Sequence, residues 1–138
     1  MFFLVDCKKE VSVNKETPSG NIAKEDLPSI AMSFINNYYP DIPVKKYEVK
    51  DVLSFGKTFE VELKNGVEID FDEKGNWKEI KDSLGVDKSL LPENVFIYVE
   101  KNNAETKVTK IETDKKEIKV ELSSGLDLLF DADGNFIR

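Results

Sequence analysis

The sequence predicts an α+β fold in which two tandem helix–four-strand units share one curved antiparallel sheet, with both helices on one face. Three observations support this prediction: an internal duplication, period-two alternation of apolar and charged residues, and two apolar stripes at helical spacing. The duplication is the strongest of the three. Residues 57–80, KTFEVELKNGVEIDFDEKGNWKEI, return in residues 116–138, KEIKVELSSGLDLLFDADGNFIR, at an offset of 59 residues.

Both copies of the duplicated stretch have the pattern of a β-hairpin. In the first copy, apolar residues of 59–63 and 67–71 alternate with charged ones on either side of Asn65-Gly66. An Asn-Gly pair between alternating runs favours a two-residue type I′ turn, which needs positive φ at both central positions. Alternation leaves one strand face apolar and the other charged, which is typical of an antiparallel sheet covered on one side only.

Two stretches carry apolar residues at helical spacing. Residues 26–39 have an apolar stripe from Leu27 to Tyr38 and end before Pro40, which disfavours helix at the preceding residue. Residues 91–102 repeat this stripe at an offset of 64, although their β-branched and aromatic residues have strand propensity. We expect the repeat register to prevail. The offset then falls to 59, which predicts a shorter first hairpin in the second copy, turning at residues 114–116.

These patterns divide the chain into a leader of residues 1–23 and two repeats, residues 24–83 and 84–138. A unit of about 55 residues buries only about 60% of its unfolded surface and is marginally stable alone. We therefore expect the two repeats to form one structural domain. A short strand is also expected around Val11 and Val13 in the leader.

The first seven residues, MFFLVDC, are apolar and end in the only cysteine of the chain. One interpretation is the tail of a bacterial lipoprotein signal in which Cys7 is the lipidated residue. The other is an N-terminal strand, because the apolar run is far too short for a complete signal. No other stretch approaches the roughly 20 apolar residues of a membrane span.

Composition excludes several classes of function. The net charge of −7 leaves no basic stripe for nucleic acid and does not favour adsorption to an anionic membrane. The absence of histidine excludes a Ser-His-Asp or Cys-His site within the chain. A single cysteine excludes an internal disulfide and a cysteine-based zinc cluster. We predict no cofactor, no metal and no catalytic residue.

The duplicated pattern resembles the PepSY-like family of secreted bacterial proteins, whose fold is like that of the β-lactamase inhibitor protein. The residues that carry the resemblance are Leu27-Pro28, Phe34-Ile35, Tyr39-Pro40-Asp41, Tyr47-Glu48-Val49, residues 59–63, Asn65-Gly66, Phe71-Asp72 and Gly75-Asn76-Trp77, with residues 120–136 in the second copy. The resemblance covers residues 27–138 and is specific for fold rather than function. The second helix departs from the pattern because Asn103-Ala104 lacks the aromatic–proline ending. The resemblance implies a secreted or lipid-anchored envelope protein of gut-type bacteria with no assigned function.

The candidate partner-binding residues are carboxylates on the polar face of the predicted sheet. They are Glu60, Glu62, Glu68 and Asp70 in the first copy, with Glu121 and Asp127 extending the patch in the second. Paired carboxylates can serve as an acid–base pair, but the sequence indicates no concave apolar pocket that would divide those roles. The remaining interpretations are a solvated face and a binding surface for a basic partner.

Three further features have both a functional and a structural interpretation. Residues 72–76 and 131–135 look superficially like calcium loops but lack acidic ligands spread over about 12 residues, so we expect hairpin turns. Trp77 is an interface candidate, yet its counterpart Phe136 favours core packing. Tyr38 and Tyr39 could stack on a ligand, but tyrosines at a helix end more commonly close a core with their hydroxyls outward.

We predict a non-enzymatic envelope protein, periplasmic or secreted, that binds an unknown protein or peptide through the polar sheet face or its loops. An inhibitory role is one form of such binding. The alternative is a small-ligand carrier or weak enzyme with a cleft between helices and sheet. A deep apolar pocket would favour the alternative, and an open sheet face would favour the binder.

Overall fold

The computed structural model describes residues 19–52 and 56–138, and the predicted α+β class is confirmed there. Eight strands form one antiparallel sheet, and each strand pairs with its neighbours in sequence. The strands are β1 (Ser19–Asn21), β2 (Val44–Val52), β3 (Gly56–Leu63), β4 (Glu68–Phe71), β5 (Trp77–Lys81), β6 (Val108–Thr113), β7 (Glu117–Leu122) and β8 (Asp127–Asp131). The helices are α1 (Ser29–Tyr38) and α2 (Glu93–Asn103), each preceded by a short 3-10 turn.

One apolar core joins both helices to the same face of the sheet. Ala31 and Ile35 of α1 and Val95 and Val99 of α2 are buried in a single cluster with strand residues. A continuous apolar row crosses six strands through the cross-strand partners Val61, Ile69, Ile80, Ile111, Val120 and Leu128. Burying each such side chain stabilises the fold by about 1.5–3 kcal/mol, so this row is a major source of stability.

The second helix forms despite its strand-like sequence, as the repeat register predicted. Val95 and Val99 lie one helical turn apart and are fully buried, whereas Ile97 between them is exposed. A strand would place residues 95, 97 and 99 on one face. Burial of the i, i+4 pair against the sheet therefore outweighs the local strand propensity.

The Asn65-Gly66 turn differs from the predicted type I′ turn. The Leu63 N–H donates to the Val67 carbonyl at 2.8 Å, and the Gly66 N–H donates to the Leu63 carbonyl at 3.0 Å. These bonds define a three-residue loop with Gly66 at φ 96° in the left-handed position. The apolar core explains the difference, because cross-strand partners lie on the same face of the sheet. A two-residue turn at Asn65-Gly66 would pair Val67 with Lys64, whereas the three-residue loop pairs Val67 with the apolar Leu63.

The two outer edges of the sheet also differ from the prediction. The expected fourth strand of the second repeat is reduced to a single bridge between Phe130 and Phe136. The sheet still has eight strands, because β1 forms at the opposite edge. This strand lies within the predicted leader and pairs with residues 48–50 of β2. The expected strand around residues 11–13, and Cys7, lie outside the described residues.

The two halves of the chain have similar aromatic packing at positions related by the repeat. Phe34 packs against Phe71 and Trp77 at centroid distances of 5.9 and 6.3 Å. At the matching positions of the second half, Tyr98 packs against Phe130 and Phe136 at 5.5 and 4.4 Å. Trp77 is thus half-buried and packs against the core. This is the core packing that its counterpart Phe136 favoured. Superposition of the two halves stays a prediction.

Candidate functional site: an acidic row on the open sheet face

The sheet face opposite the helices carries a line of carboxylates, because charged residues alternate with the buried ones along each strand. Five of them are direct cross-strand partners on five adjacent strands. We call these five the acidic row: Glu48, Glu60, Asp70, Glu79 and Glu112, on β2 to β6. Adjacent strands lie about 4.8 Å apart, so the row extends over roughly 19 Å. Directly opposed like charges destabilise a sheet, and this row contains four such contacts in succession.

A second row of mixed charge runs beside the acidic row. Its members are Lys46, Glu62, Glu68, Lys81, Lys110, Glu121 and Asp127. Four predicted site residues therefore lie together: Glu60, Glu62, Glu68 and Asp70. Glu121 and Asp127 are separated from them by Lys81 and Lys110, so the single continuous patch expected from the sequence is wrong at that point.

Three carboxylates missed by the sequence argument belong to the acidic row: Glu48, Glu79 and Glu112. The sequence could have identified them, because each directly follows or precedes an apolar strand residue. Alternation then places each of these carboxylates on the open face. Their alignment depends on register. Lys78 is an extra residue in β5, because Asp70 pairs with Glu79 while Phe71 pairs with Trp77.

Lysines compensate part of the acidic row. Lys50 Nζ lies 2.6 Å from Glu60 Oε2, and Lys110 Nζ lies 3.9 Å from Glu79 Oε2. Lys46 Nζ also lies 3.6 Å from Glu48 Oε2. Within the described part of the chain, no lysine or arginine lies within ion-pair distance of Asp70. Asp70 is thus the central member of the row and lies between two carboxylates that each have a lysine partner.

The position of Asp70 changes its acidity. Burial raises the pKa of Asp70 to about 7, and the charges of Glu60 and Glu79 act in the same direction, while Lys50 and Lys78 oppose it. The Glu60 carboxylate in turn raises the pKa of Lys50 by accepting its hydrogen bond. The charge of Asp70, and with it the charge of the row, therefore changes with pH near neutrality.

Shallow recesses flank Asp70 on the open face. One of about 240 Å³ is lined by Lys46, Glu48, Glu60, Val61, Glu62, Glu68 and Asp70, and one of about 260 Å³ by Asp70, Lys78, Glu79, Glu112, Thr113 and Asp114. Both are open to solvent and mainly polar. They suit the charged ends of side chains rather than a buried apolar ligand.

The second half shows that the fold does not require the acidic row. Lys119, Leu129 and Arg138 stand at an offset of 59 from Glu60, Asp70 and Glu79. Leu129 is only 8% exposed, and its backbone N–H donates to the Arg138 carbonyl at 2.8 Å. The same type of sheet position therefore accommodates cationic and apolar residues.

The two calcium-loop candidates are hairpin turns in the structure. Asp72 Oδ1 accepts hydrogen bonds from the backbone N–H groups of Lys74 and Asn76, both at 2.9 Å. Asp131 Oδ1 accepts the matching pair from Asp133 and Asn135, and the backbone donors lower the pKa of Asp131. In residues 19–52 and 56–138, no group of three or more metal-ligating side chains is placed to hold a metal ion.

The tyrosine pair at the end of α1 does not form a stacking platform. Tyr38 is exposed and packs on Phe34 at a centroid distance of 4.7 Å. The Tyr39 hydroxyl, which was expected to point outward, lies 3.5 Å from the buried Asp82 carboxylate. Burial, followed by the charge of Asp82, raises the pKa of Tyr39 to about 12. Tyr39 therefore connects the end of α1 to the segment after β5.

The PepSY-like family matches residues 57–138, which is more than half of the chain. The chain belongs to the PepSY-like family. The members of this family are proposed to be β-lactamase-inhibitor-like. The resemblance seen in the sequence is thereby confirmed for this PepSY-like protein.

Three solved structures similar to this chain come from Bacteroides. A periplasmic protein of Bacteroides thetaiotaomicron, proposed to be calcium-regulated, is 32% identical with a TM-score of 0.83, covering 90% of this chain and 98% of its own. A proposed periplasmic protein of Bacteroides vulgatus is 31% identical with a TM-score of 0.84 and the same coverage. Another from Bacteroides vulgatus, of unknown function, is 27% identical with a TM-score of 0.81, covering 86% and 98%. Curated proteins give no significant match.

Neither described helix of this PepSY-like protein is long and apolar enough to cross a membrane.

Proposed function

We propose that this PepSY-like protein is a non-enzymatic envelope protein that binds a basic segment of a protein or peptide along the acidic row. The observation that carries the proposal is the set of five directly opposed carboxylates, which costs stability and which the fold does not need. Arrangements that break a local folding rule are expected mainly at functional sites. A partner that brings lysine or arginine side chains to the row would relieve the repulsion.

The recesses beside Asp70 support binding of extended charged groups more than the alternative of a small-ligand carrier or weak enzyme. Both recesses are shallow, polar and on the open sheet face. A carrier would need an enclosed and mainly apolar cavity. Inhibition of an enzyme by occupation of its basic surface is one outcome that this mode of binding allows.

An envelope location is part of the proposal. The similar Bacteroides structures are described as periplasmic. A lipid on Cys7 would anchor the domain while leaving the open sheet face accessible. The net charge of −7 would keep the domain itself away from an anionic lipid surface.

A synthetic octalysine peptide with a fluorescent label tests the proposal by anisotropy titration at low and moderate salt. We compare wild type with the double variant Glu60→Gln, Glu79→Gln. The matched control is Glu93→Gln, Glu105→Gln, which removes the same net charge at exposed positions at the start of α2 and after it. We expect the row variant to bind about tenfold more weakly, equivalent to about 1.4 kcal/mol, and the control to bind nearly as wild type.

Equal weakening in both double variants would show that octalysine responds only to net charge, and the proposal would be wrong. Labelled octaglutamate serves as the negative probe and should not bind. Binding should also weaken as salt rises, since exposed charges are screened beyond about 8 Å at physiological ionic strength.

Calcium is the other cation to include in this titration, because one similar structure is proposed to be calcium-regulated. Ca²⁺ takes about six to eight oxygen ligands at roughly 2.3–2.6 Å. In the part of the chain that the structure describes, no such group is preformed. Displacement of octalysine by millimolar CaCl₂, but not by NaCl of equal ionic strength, would assign the row to calcium instead.

A further inference from the structure

Resting on the proposed function, we propose that the acidic row exchanges a proton for its cationic partner, with Asp70 as the exchanging group. In the empty row on the acidic side of neutral pH, Asp70 holds the proton. When an ammonium or guanidinium group of the partner enters a recess beside Asp70, the proton leaves to the solvent and the ionised carboxylate pairs with the cation. Binding is therefore stronger at pH 8 than at pH 6.

The charged surroundings of Asp70 are known from every element beside it. Glu68 precedes it by two residues on β4, and Asp72 follows it by two residues in the turn after β4. The neighbouring strands contribute Glu60 from β3, Lys50 from β2 through its pair with Glu60, and Lys78 and Glu79 from β5. Both direct cross-strand neighbours of Asp70 are thus carboxylates.

Asp70 differs from these two neighbours because, within the described residues, each of them has a lysine partner and Asp70 has none. Glu60 has Lys50 at 2.6 Å and Glu79 has Lys110 at 3.9 Å. For Asp70, the described residues supply no lysine within ion-pair distance, and Lys78 donates to Thr58 Oγ1 at 3.3 Å. A third negative charge between two others in a partly buried site is stabilised either by a proton or by an external cation.

The acidity of Asp70 fits this exchange. Burial, with Glu60 and Glu79, raises its pKa to about 7. A carboxyl group with that pKa is mostly protonated at pH 6 and mostly ionised at pH 8, which allows up to about a tenfold rise in affinity over this interval. The matching position in the second half holds the neutral Leu129 between Lys119 and Arg138, so it offers no such exchange.

The first part of the test needs no partner. The side-chain carboxyl resonance of Asp70 is followed by NMR from pH 3 to pH 9 in the full chain. We expect a midpoint near pH 7 that is absent in Asp70→Asn and retained in Asp41→Asn, a matched change in an exposed loop residue. A midpoint near the ordinary value of about 4 would overturn the proposal.

The second part measures octalysine affinity at pH 6 and pH 8 at constant ionic strength. Wild type and Asp41→Asn should bind roughly five- to tenfold more tightly at pH 8. Asp70→Asn should bind with nearly equal affinity at both pH values.

The outcomes separate this inference from the proposed function. If wild type binds octalysine through the row with equal affinity at pH 6 and pH 8, the function stands and the proton exchange is wrong. If the pH effect persists in Asp70→Asn, another group exchanges the proton and the assignment is wrong. Absence of binding at both pH values overturns both proposals.

Discussion

Glu60 and Asp70 are direct cross-strand partners on β3 and β4, and Glu79 flanks Asp70 from the other side on β5. Burial and these two carboxylates raise the pKa of Asp70 from 3.8 to about 7. The folded protein therefore holds this proton more tightly than the unfolded chain. The corresponding stabilisation is complete below about pH 4 and is lost as the pH rises through about 7.

Replacing Asp70 by Asn should stabilise the protein at pH 8 and change little at pH 4. The variant removes the repelling charge at pH 8, whereas at pH 4 wild type is already neutral there. Because Asp70 is only partly buried, solvent screening reduces the gain to about 1–2 kcal/mol. Urea denaturation at pH 4, 6 and 8 measures this difference, with Asp41→Asn as the control. An equal effect of Asp70→Asn at pH 4 and pH 8 would contradict the assignment.

The turn at Gly75 should tolerate alanine less well than the turn at Gly66. Both glycines have positive φ, 98° and 96°, so alanine is strained at each by about 1 kcal/mol. A Cβ at Gly75 would additionally lie 2.8 Å from Pro28 Cβ and 3.1 Å from Ala31 N, whereas Gly66 has open space.

We expect Gly75→Ala to lower the free energy of unfolding by about 1–3 kcal/mol more than Gly66→Ala. Chemical denaturation of the two variants measures the difference. Equal destabilisation would show that the turn is not packed against the start of α1.

The two halves of the chain should depend on each other for stability. β5 and β6 pair from Glu79 with Glu112 to Lys81 with Lys110, and Ile80 and Ile111 are both fully buried. A chain divided at Gly85 loses this pairing and exposes two strand edges. We expect neither half to melt cooperatively alone and a mixture of both to recover a transition. A sharp melt of one isolated half, followed by circular dichroism, would contradict this expectation.

Charge reversal should distinguish the acidic row from the patch predicted by sequence. Glu60→Lys and Glu121→Lys change the net charge equally, but Glu60 has a carboxylate on each neighbouring strand, whereas Glu121 has Lys110 on one side. We expect Glu60→Lys to slow octalysine association several-fold and Glu121→Lys to slow it less, with little change in Tm. Stopped-flow anisotropy gives the rates. Equal slowing by both reversals would mean that the whole open face attracts the partner.

Lipidation of Cys7 stays a prediction. In cells that export the protein, metabolic labelling with a clickable fatty acid should label wild type and not Cys7→Ser. Absence of label on wild type, or unchanged label on Cys7→Ser, would contradict the lipoprotein interpretation. The experiment is independent of the acidic row, because the two features lie in different parts of the chain.

Much of the fold was predictable because its signals are local. Side chains in a strand alternate with a period of two, so Phe59 and Val61 assign Glu60 to the open face without knowledge of the partner strand. The repeated stripe likewise predicted a helix over residues 91–102, where the structure has α2 at Glu93–Asn103. Loop details were less accessible: apolar pairing of Leu63 with Val67 selected a three-residue loop over the turn that Asn65-Gly66 favours.

The sequence by itself determined which carboxylates lie on the open face, since that depends only on each residue's immediate neighbours. Tertiary structure alone decided which of them meet, because strand register depends on loop length and on inserted residues. The bulge at Lys78 places both Trp77 and Ile80 against the core and aligns Glu79 with Asp70, which strict alternation would not allow. The pKa of Asp70 follows from that alignment together with burial, and both arise only when distant segments of the chain pack together.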